Sequence, residues 1–300
     1  MPLILITNDD GYQAAGIQAL ARAVAPLGEV YIVAPNGARS GAAASITCTT
    51  PVSYRRLSPR PPYQGGSNYL EGHAQGNEVG NNLANNADAQ SNDTAPSLKG
   101  RAGGGSGGSF SCTGTPVDCV KLALEQIVPH KPDLILSGIN HGDNASISVH
   151  YSGTMGAVYE GCMKGIPSIG ISLYLQRGQR YEDNPVSEDT LSAIDSLCRR
   201  VLEQGLPQDI CLNINLPVAH KFRGWQVCRQ ARGQWSAEWI TAAHPFGQQA
   251  FWLTGQFTDL EPEATDTDFA ALRAGYCSIV PVTIDTTAHA AITTIQQLIT

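Results

Sequence analysis

The feature that most constrains this chain is its opening run. Leu3-Ile4-Leu5-Ile6-Thr7 is apolar and β-rich, and it stops abruptly at Asn8-Asp9-Asp10-Gly11. In an open parallel sheet, ligands bind in the crevice outside the carboxyl ends of the strands. A first strand of this kind delivers Asp9 and Asp10 straight into that crevice. Neighbouring carboxylates repel, which raises a pKa unless something cancels the charge. A hard divalent cation does so, and carboxylate oxygens suit Mg²⁺, Mn²⁺ or Ca²⁺. Taken alone, the run also reads as an Asp-Asp-Gly turn that merely closes a strand.

The pattern that follows supplies the frame. Residues 16–25 place Ile17, Leu20, Ala21 and Val24 on one face at helical spacing. Residues 30–33 read as a second strand, completing a βαβ unit with the right-handed crossover such units adopt. Residues 45–57 are rich in β-branched and aromatic side chains and predict a further strand. Residues 64–108 are crowded with Gly, Asn, Ser, Ala and Gln. A segment so poor in apolar surface cannot offset its ordering entropy, so a flexible surface insertion is expected, with a lid or partner-binding loop as the alternative.

Helices are then predicted at 116–127, 154–164 and 188–203, alternating with strands at 134–136, 168–173 and 211–216. The expected fold is α/β, a Rossmann-like, doubly wound and mostly parallel sheet. Beyond Pro217 the character changes, because all four tryptophans fall within 223–257. This predicts an aromatic β-rich extension, a candidate subunit contact, closed by a strand at 275–284 and a helix at 288–298. One domain over 1–300 is expected, with a core at 1–216 and an extension at 217–300.

Composition narrows the function. Net charge is −7 and charged residues make up only 15%, which argues against a protein that coats a nucleic-acid polymer. It leaves room for a small phosphorylated ligand. The eight cysteines include no C-x-x-C pair, so reduced thiols are the default. Residues 1–8 lack a secretory leader, and no apolar run approaches the ~18 residues of a membrane span. A cytoplasmic protein without membrane contact is expected.

Three further segments sit where a metal-phosphate site needs them. Arg39-Ser40-Gly41 follows the second strand, and its hydroxyl can complete a metal shell; the alternative is a polar loop. Ser137-Gly138-Ile139-Asn140-His141-Gly142-Asp143-Asn144 follows a buried strand. The Asn140 side-chain oxygen is a neutral, hard ligand, with Asp143 and His141 as rivals. Tyr151-Ser152-Gly153-Thr154 opens a helix, offering hydroxyls and free amides to an anion or an ordinary helix cap. Gly114-Thr115-Pro116-Val117-Asp118 either faces the ligand or caps its helix through Thr115. No Walker loop is present, the first strand is not followed by G-x-G-x-x-G, and no strand-to-helix turn carries a G-x-S-x-G nucleophile elbow.

In this order the segments resemble the SurE family of 5′-nucleotidases. Ala34-Pro35, Thr267-Asp268-Phe269 and Gly275-Tyr276-Cys277-Ser278-Ile279-Val280-Pro281 also fit. The resemblance covers nearly the whole chain except 64–108. It implies a metal-dependent phosphomonoesterase that hydrolyses nucleoside 5′-monophosphates, using one divalent ion, Mg²⁺ or Mn²⁺. The family's metal ligands map onto Asp9, Asp10, Ser40 and Asn140. Its phosphate turn maps onto Ser152, Gly153 and Thr154, with Asn144 nearby, and Asp9, Asp10 and Ser152 carry the catalytic assignment. The resemblance further implies a homodimer or homotetramer that exchanges C-terminal segments. The chain departs from the family at Ala14-Ala15-Gly16 and at Asn36, where the family carries Ala-Pro-Gly and Asp.

Overall fold

A computed structural model describes residues 1–57, 107–176, 178–219, 221–243 and 247–299. The insertion expected at 64–108 therefore lies outside the described residues, apart from Gly107 and Gly108. The strands are β1 (Leu3–Thr7), β2 (Glu29–Pro35), β3 (Tyr54–Arg56), β4 (Ser109–Cys112), β5 (Leu134–His141), β6 (Ser168–Tyr174), β7 (Ile210–Pro217), β8 (Trp225–Val227), β9 (Gly233–Ser236), β10 (Trp239–Ala242), β11 (Ala250–Leu253), β12 (Gln256–Asp259) and β13 (Cys277–Thr283). The helices are α1 (Ala15–Val24), α2 (Pro116–Leu122), α3 (Gly153–Met163), α4 (Glu188–Gln204), α5 (Asp268–Arg273) and α6 (Ile292–Leu298).

One sheet runs in the order β3-β4-β2-β1-β5-β6-β7-β13-β8. The six strands from β4 to β7 are parallel; β3 and β13 run against their neighbours β4 and β7. Alternate residues of β1 and β5 serve opposite faces. Ile4, Ile6, Leu134 and Leu136 share a cluster with Ile17, Leu20 and Val24 of α1 and Leu191 and Ile194 of α4. Leu5 and Ile135 share another with Cys119 and Val120 of α2 and Ala157 of α3. Helices thus cover both faces, which is why β1 is apolar at every position rather than at every second one. The doubly wound α/β arrangement stands as expected.

From β1 the chain steps outward to β2 and β4, then returns to β5 on the opposite side of β1 and continues through β6 to β7. The order therefore reverses between β1 and β5, and a crevice opens outside their carboxyl ends. β9 pairs with β12 and β10 with β11 as two small antiparallel sheets. Trp235 and Phe257 meet edge to face at 5.4 Å, and Phe257 packs on Phe269 of α5.

Three sequence expectations are corrected. The strand predicted at 45–57 shrinks to Tyr54–Arg56 because α2 takes the polar groups before it. The Thr47 N–H donates to Asp118 Oδ1 at 3.0 Å, and the Ser45 carbonyl accepts from the Thr115 hydroxyl at 2.7 Å. The helix predicted at 116–127 is regular only to Leu122, then widens into a turn in which the Val128 N–H reaches the Ala123 carbonyl. The strand predicted at 134–136 runs on to His141, since β6 continues to pair with it. That extension places Asn140 on a strand end rather than in a loop.

Candidate active site at the sheet switch point

The turn after β1 is built by Asn8. Its buried side chain donates to the Gly11 carbonyl at 2.9 Å and accepts the Gly11 N–H at 3.1 Å. Gly11 adopts φ +99°, a conformation that favours glycine. Asp9, nearly fully buried, accepts the Thr154 hydroxyl on Oδ1 at 2.7 Å, and its carbonyl takes the Arg39 N–H at 2.6 Å. Asp10 Oδ2 accepts the His141 N–H at 3.0 Å. The start of α3 lies hard against this turn. A Cβ on Gly153 would stand 3.0 Å from the Asp9 Cβ and 3.3 Å from its Oδ2.

Burial pushes the Asp9 carboxyl up to about 6; the Thr154 hydrogen bond opposes this, and the charge of Asp10 adds to it. Asp10 is also pushed upward, chiefly by burial, against the pull of His141. Two desolvated, adjacent carboxylates are costly in isolation, and a bound cation relieves both terms.

β5 supplies the opposite wall. A Cβ on Gly138 would collide with the Ile171 carbonyl, and the register against β6 shifts between Gly138 and Asn140. Such bulges re-aim the side chains that follow. The Asn140 amide nitrogen donates to the Gly142 carbonyl at 2.7 Å. That carbonyl only accepts, so the nitrogen faces it and Oδ1 turns away. Ser40 lies on an exposed loop, one residue beyond the N–H that holds the Asp9 carbonyl. The candidate set of two carboxylates, one amide oxygen and one hydroxyl is uniformly hard, and fits Mg²⁺ or Mn²⁺. Among the described residues, no group of three or more His, Cys, Asp or Glu is placed to hold a metal.

Ser152 caps α3, its Oγ accepting the Met155 N–H at 3.0 Å. The hydroxyl proton is left over for a ligand. The N–H groups of Gly153 and Thr154, at the first two positions of the helix, have no intrahelical acceptor. The same helix start thus carries a side-chain cap and open main-chain N–H groups. The Thr154 hydroxyl donates to Asp9, so this side chain orients the carboxylate while its main-chain N–H stays open. Asn144 is held in a buried amide network. Its N–H reaches Asn215 Oδ1 at 2.8 Å, its side chain donates to Ser172 at 2.7 Å, and its carbonyl accepts from Asn213 at 2.8 Å.

The rival ligands have other partners. Asp143 accepts the Ala145 N–H at 3.1 Å, with burial pushing its carboxyl up to about 6. The ring of His141 accepts the Gly16 N–H and stacks on Tyr181. Thr115 and Asp118 form a reciprocal capping box on α2, so the capping role expected of that segment is present. Sequence reading missed Tyr181 altogether, since its only tie to the site is a ring contact made across the fold.

The sequence profile described as Survival protein SurE matches residues 4–237. The chain is 41% identical over 288 residues to the 5′-nucleotidase SurE of Phocaeicola vulgatus, covering 96% of this chain and 93% of that one. It is likewise 41% identical to the 5′-nucleotidase SurE of Bacteroides thetaiotaomicron, covering 96% and 92%. The crystal structure of the SurE protein from Aquifex aeolicus superposes with a TM-score of 0.69 at 28% identity, over the whole of both chains.

Proposed function

The chain belongs to the SurE family, and from that premise we propose that it is a 5′-nucleotidase: a divalent-metal-dependent phosphomonoesterase that converts nucleoside 5′-monophosphates to nucleoside and phosphate. Relatives named for that activity match it over nearly their full length. The observation that carries the reading is the Asp9-Asp10 pair, with Asp9 buried and pressed against the start of α3, where main-chain amides are open. Ionised carboxylates beside this helix start would repel a phosphate unless a cation stood between them.

Asp9, Asp10, Asn140 and Ser40 would hold Mg²⁺ or Mn²⁺. A divalent ion held there would supply positive charge to the phosphoryl oxygens. The N–H groups of Gly153 and Thr154 and the Ser152 hydroxyl hold the remaining oxygens, pre-aimed where negative charge develops. The Thr154 hydroxyl locks the Asp9 rotamer. Asp9 Oδ2, the oxygen that Thr154 leaves and the one beside Gly153, is assigned to receive the proton of a water attacking in line, as the bond from phosphorus to the 5′-oxygen breaks and that oxygen takes a proton from solvent. Solvent oxygen-18 should appear in the phosphate of the first turnover. Its absence there would mean that a carboxylate attacks phosphorus directly.

The assembly we propose is a homodimer or homotetramer. Trp239, Ile240, Phe251, Trp252 and Leu253 of the β10–β11 pair are exposed, as are Ile292, Ile295, Leu298 and Ile299 at the chain end, and apolar patches of this kind mark contacts. A monomer mass by light scattering at micromolar concentration would contradict this. Seven of the eight cysteines are buried free thiols, which supports action in the reducing cytoplasm. No described helix is long and apolar enough to cross a membrane.

Phosphate release from the common nucleoside monophosphates, sugar phosphates and short polyphosphate, each with Mn²⁺, tests the substrate class. Turnover concentrated in the nucleoside 5′-monophosphates is expected. Equal turnover of all three classes would reduce the protein to a general phosphatase.

A further inference from the structure

The start of α1 has an anomaly. Its N-cap residue is Ala14, and no cap side chain serves its first N–H groups. The Gly16 N–H is met instead by His141 Nε2 at 3.2 Å, from a residue 125 positions away. The approach is close enough that a Cβ on Gly16 would collide with the Ile139 carbonyl. The other side of the imidazole is also engaged. It lies flat on the Tyr181 ring, with centroids 4.2 Å apart and planes 20° from parallel. Tyr181 is itself buried.

The same residue holds the site with its main chain. Its N–H is the donor to Asp10 Oδ2, and it directly follows Asn140. A ring clamped between a helix start and an aromatic face leaves the backbone at 140–141 little freedom. That backbone fixes both one Asp10 oxygen and the aim of the Asn140 amide.

We infer that His141, seated by Gly16 and Tyr181, is a positioning residue that presets Asp10 and Asn140 for the divalent ion. The inference deepens the proposed metal-dependent reading and rests on it. Partners one step removed from a metal ligand change metal affinity about 10–100-fold when lost, and that is the size of effect this arrangement predicts.

The test uses the full chain with three substitutions. His141→Ala removes both ring contacts. His141→Gln restores an acceptor near the position of Nε2. Tyr181→Phe keeps the stack. Mn²⁺ affinity is measured by calorimetry without substrate, alongside amide hydrogen exchange of the metal-free protein and kcat and KM on AMP. His141→Ala should bind Mn²⁺ about 10–100-fold more weakly. It should also lose exchange protection at residues 139–142 and at the start of α1, and lose kcat more than it raises KM. His141→Gln should recover much of the affinity and protection, and Tyr181→Phe should match wild type. If His141→Ala does not fold, Tyr181→Ala carries the same comparison, since the partner ring is removed with the imidazole intact.

Affinity, protection at 139–142 and kcat all within twofold of wild type in a folded His141→Ala protein would overturn the inference. So would a His141→Gln protein no better than His141→Ala in each measure. A wild-type chain that binds no Mn²⁺ overturns the metal reading and this inference with it. A wild type that binds Mn²⁺ beside an unaffected His141→Ala overturns this inference alone.

Discussion

At the scale of single residues, Ser152 and Asp9 separate chemistry from folding most cleanly. Ser152 both caps α3 and offers a hydroxyl proton. Losing a cap to Ala costs about 1 kcal/mol, and to Gly only a few tenths, whereas losing an oxyanion donor costs about 10²–10³-fold in kcat. Ser152→Gly should therefore keep its melting temperature close to wild type and still lose most turnover of AMP. A Gly variant with wild-type kcat would reduce Ser152 to a cap. Asp9 sits at about 6 in the metal-free fold, above the ordinary ~4 of an unfolded aspartate. The folded state thus binds the extra proton, and metal-free stability falls as pH rises from about 4 to about 6, by on the order of 1–3 kcal/mol. Asp9→Asn removes that loss. Denaturant unfolding in EDTA should find it more stable than wild type at pH 7, with the two converging below pH 4. A metal-free Asp9→Asn protein less stable than wild type at pH 7 would show that the carboxylate is already compensated. Thr154 shows what sequence could not supply at this scale. It was legible as a helix-start hydroxyl, but its partner lies 145 residues away.

At the scale of elements, the readable parts were those whose signal is local. β1 declares itself by apolar continuity and α1 by its 3.6-residue spacing. The strand predicted at 45–57 failed because β propensity does not register competitors, and here the capping box of α2 takes the main chain around Thr47. β5 was cut short because Ser137, Gly138 and Asn140 are poor strand formers in isolation, whereas pairing to β6 decides the outcome. In sequence His141 stands only as a rival metal ligand, since both its ring contacts are non-local. The β3–β4 stem carries a prediction of its own. The Leu57 N–H donates to the Ser109 carbonyl at 2.8 Å, and Arg56 pairs with Phe110. The chain ends on either side of the insertion are therefore already side by side. Loop-closure entropy changes by only about 0.6 kcal/mol per doubling of length. Deleting residues 66–106 and closing with a short turn should shift the melting temperature by only about 2–4 °C and preserve turnover. A collapse in melting temperature would mean that the segment contributes to the core, and lost turnover at unchanged stability would make it a lid.

At the scale of the whole molecule, the site exists because the sheet reverses direction between β1 and β5. That reversal brings the Asp9-Asp10 turn to one crevice with the end of β5 and the start of α3, although the turn lies well over a hundred residues from either. Their order along the chain was readable from motifs at strand ends, and so was the fold class. Which groups touch was not, because register and helix approach depend on close contacts such as Gly153 on Asp9 and Gly138 on Ile171. The central claim is that these groups form one metal-dependent phosphate site. It is tested most directly by phosphate release from AMP, using protein stripped with EDTA and verified metal-free, then titrated with Mn²⁺. The account predicts negligible release from the stripped protein, recovery that saturates with Mn²⁺, and no comparable recovery in Asp9→Asn. Full turnover by the verified metal-free protein would contradict it.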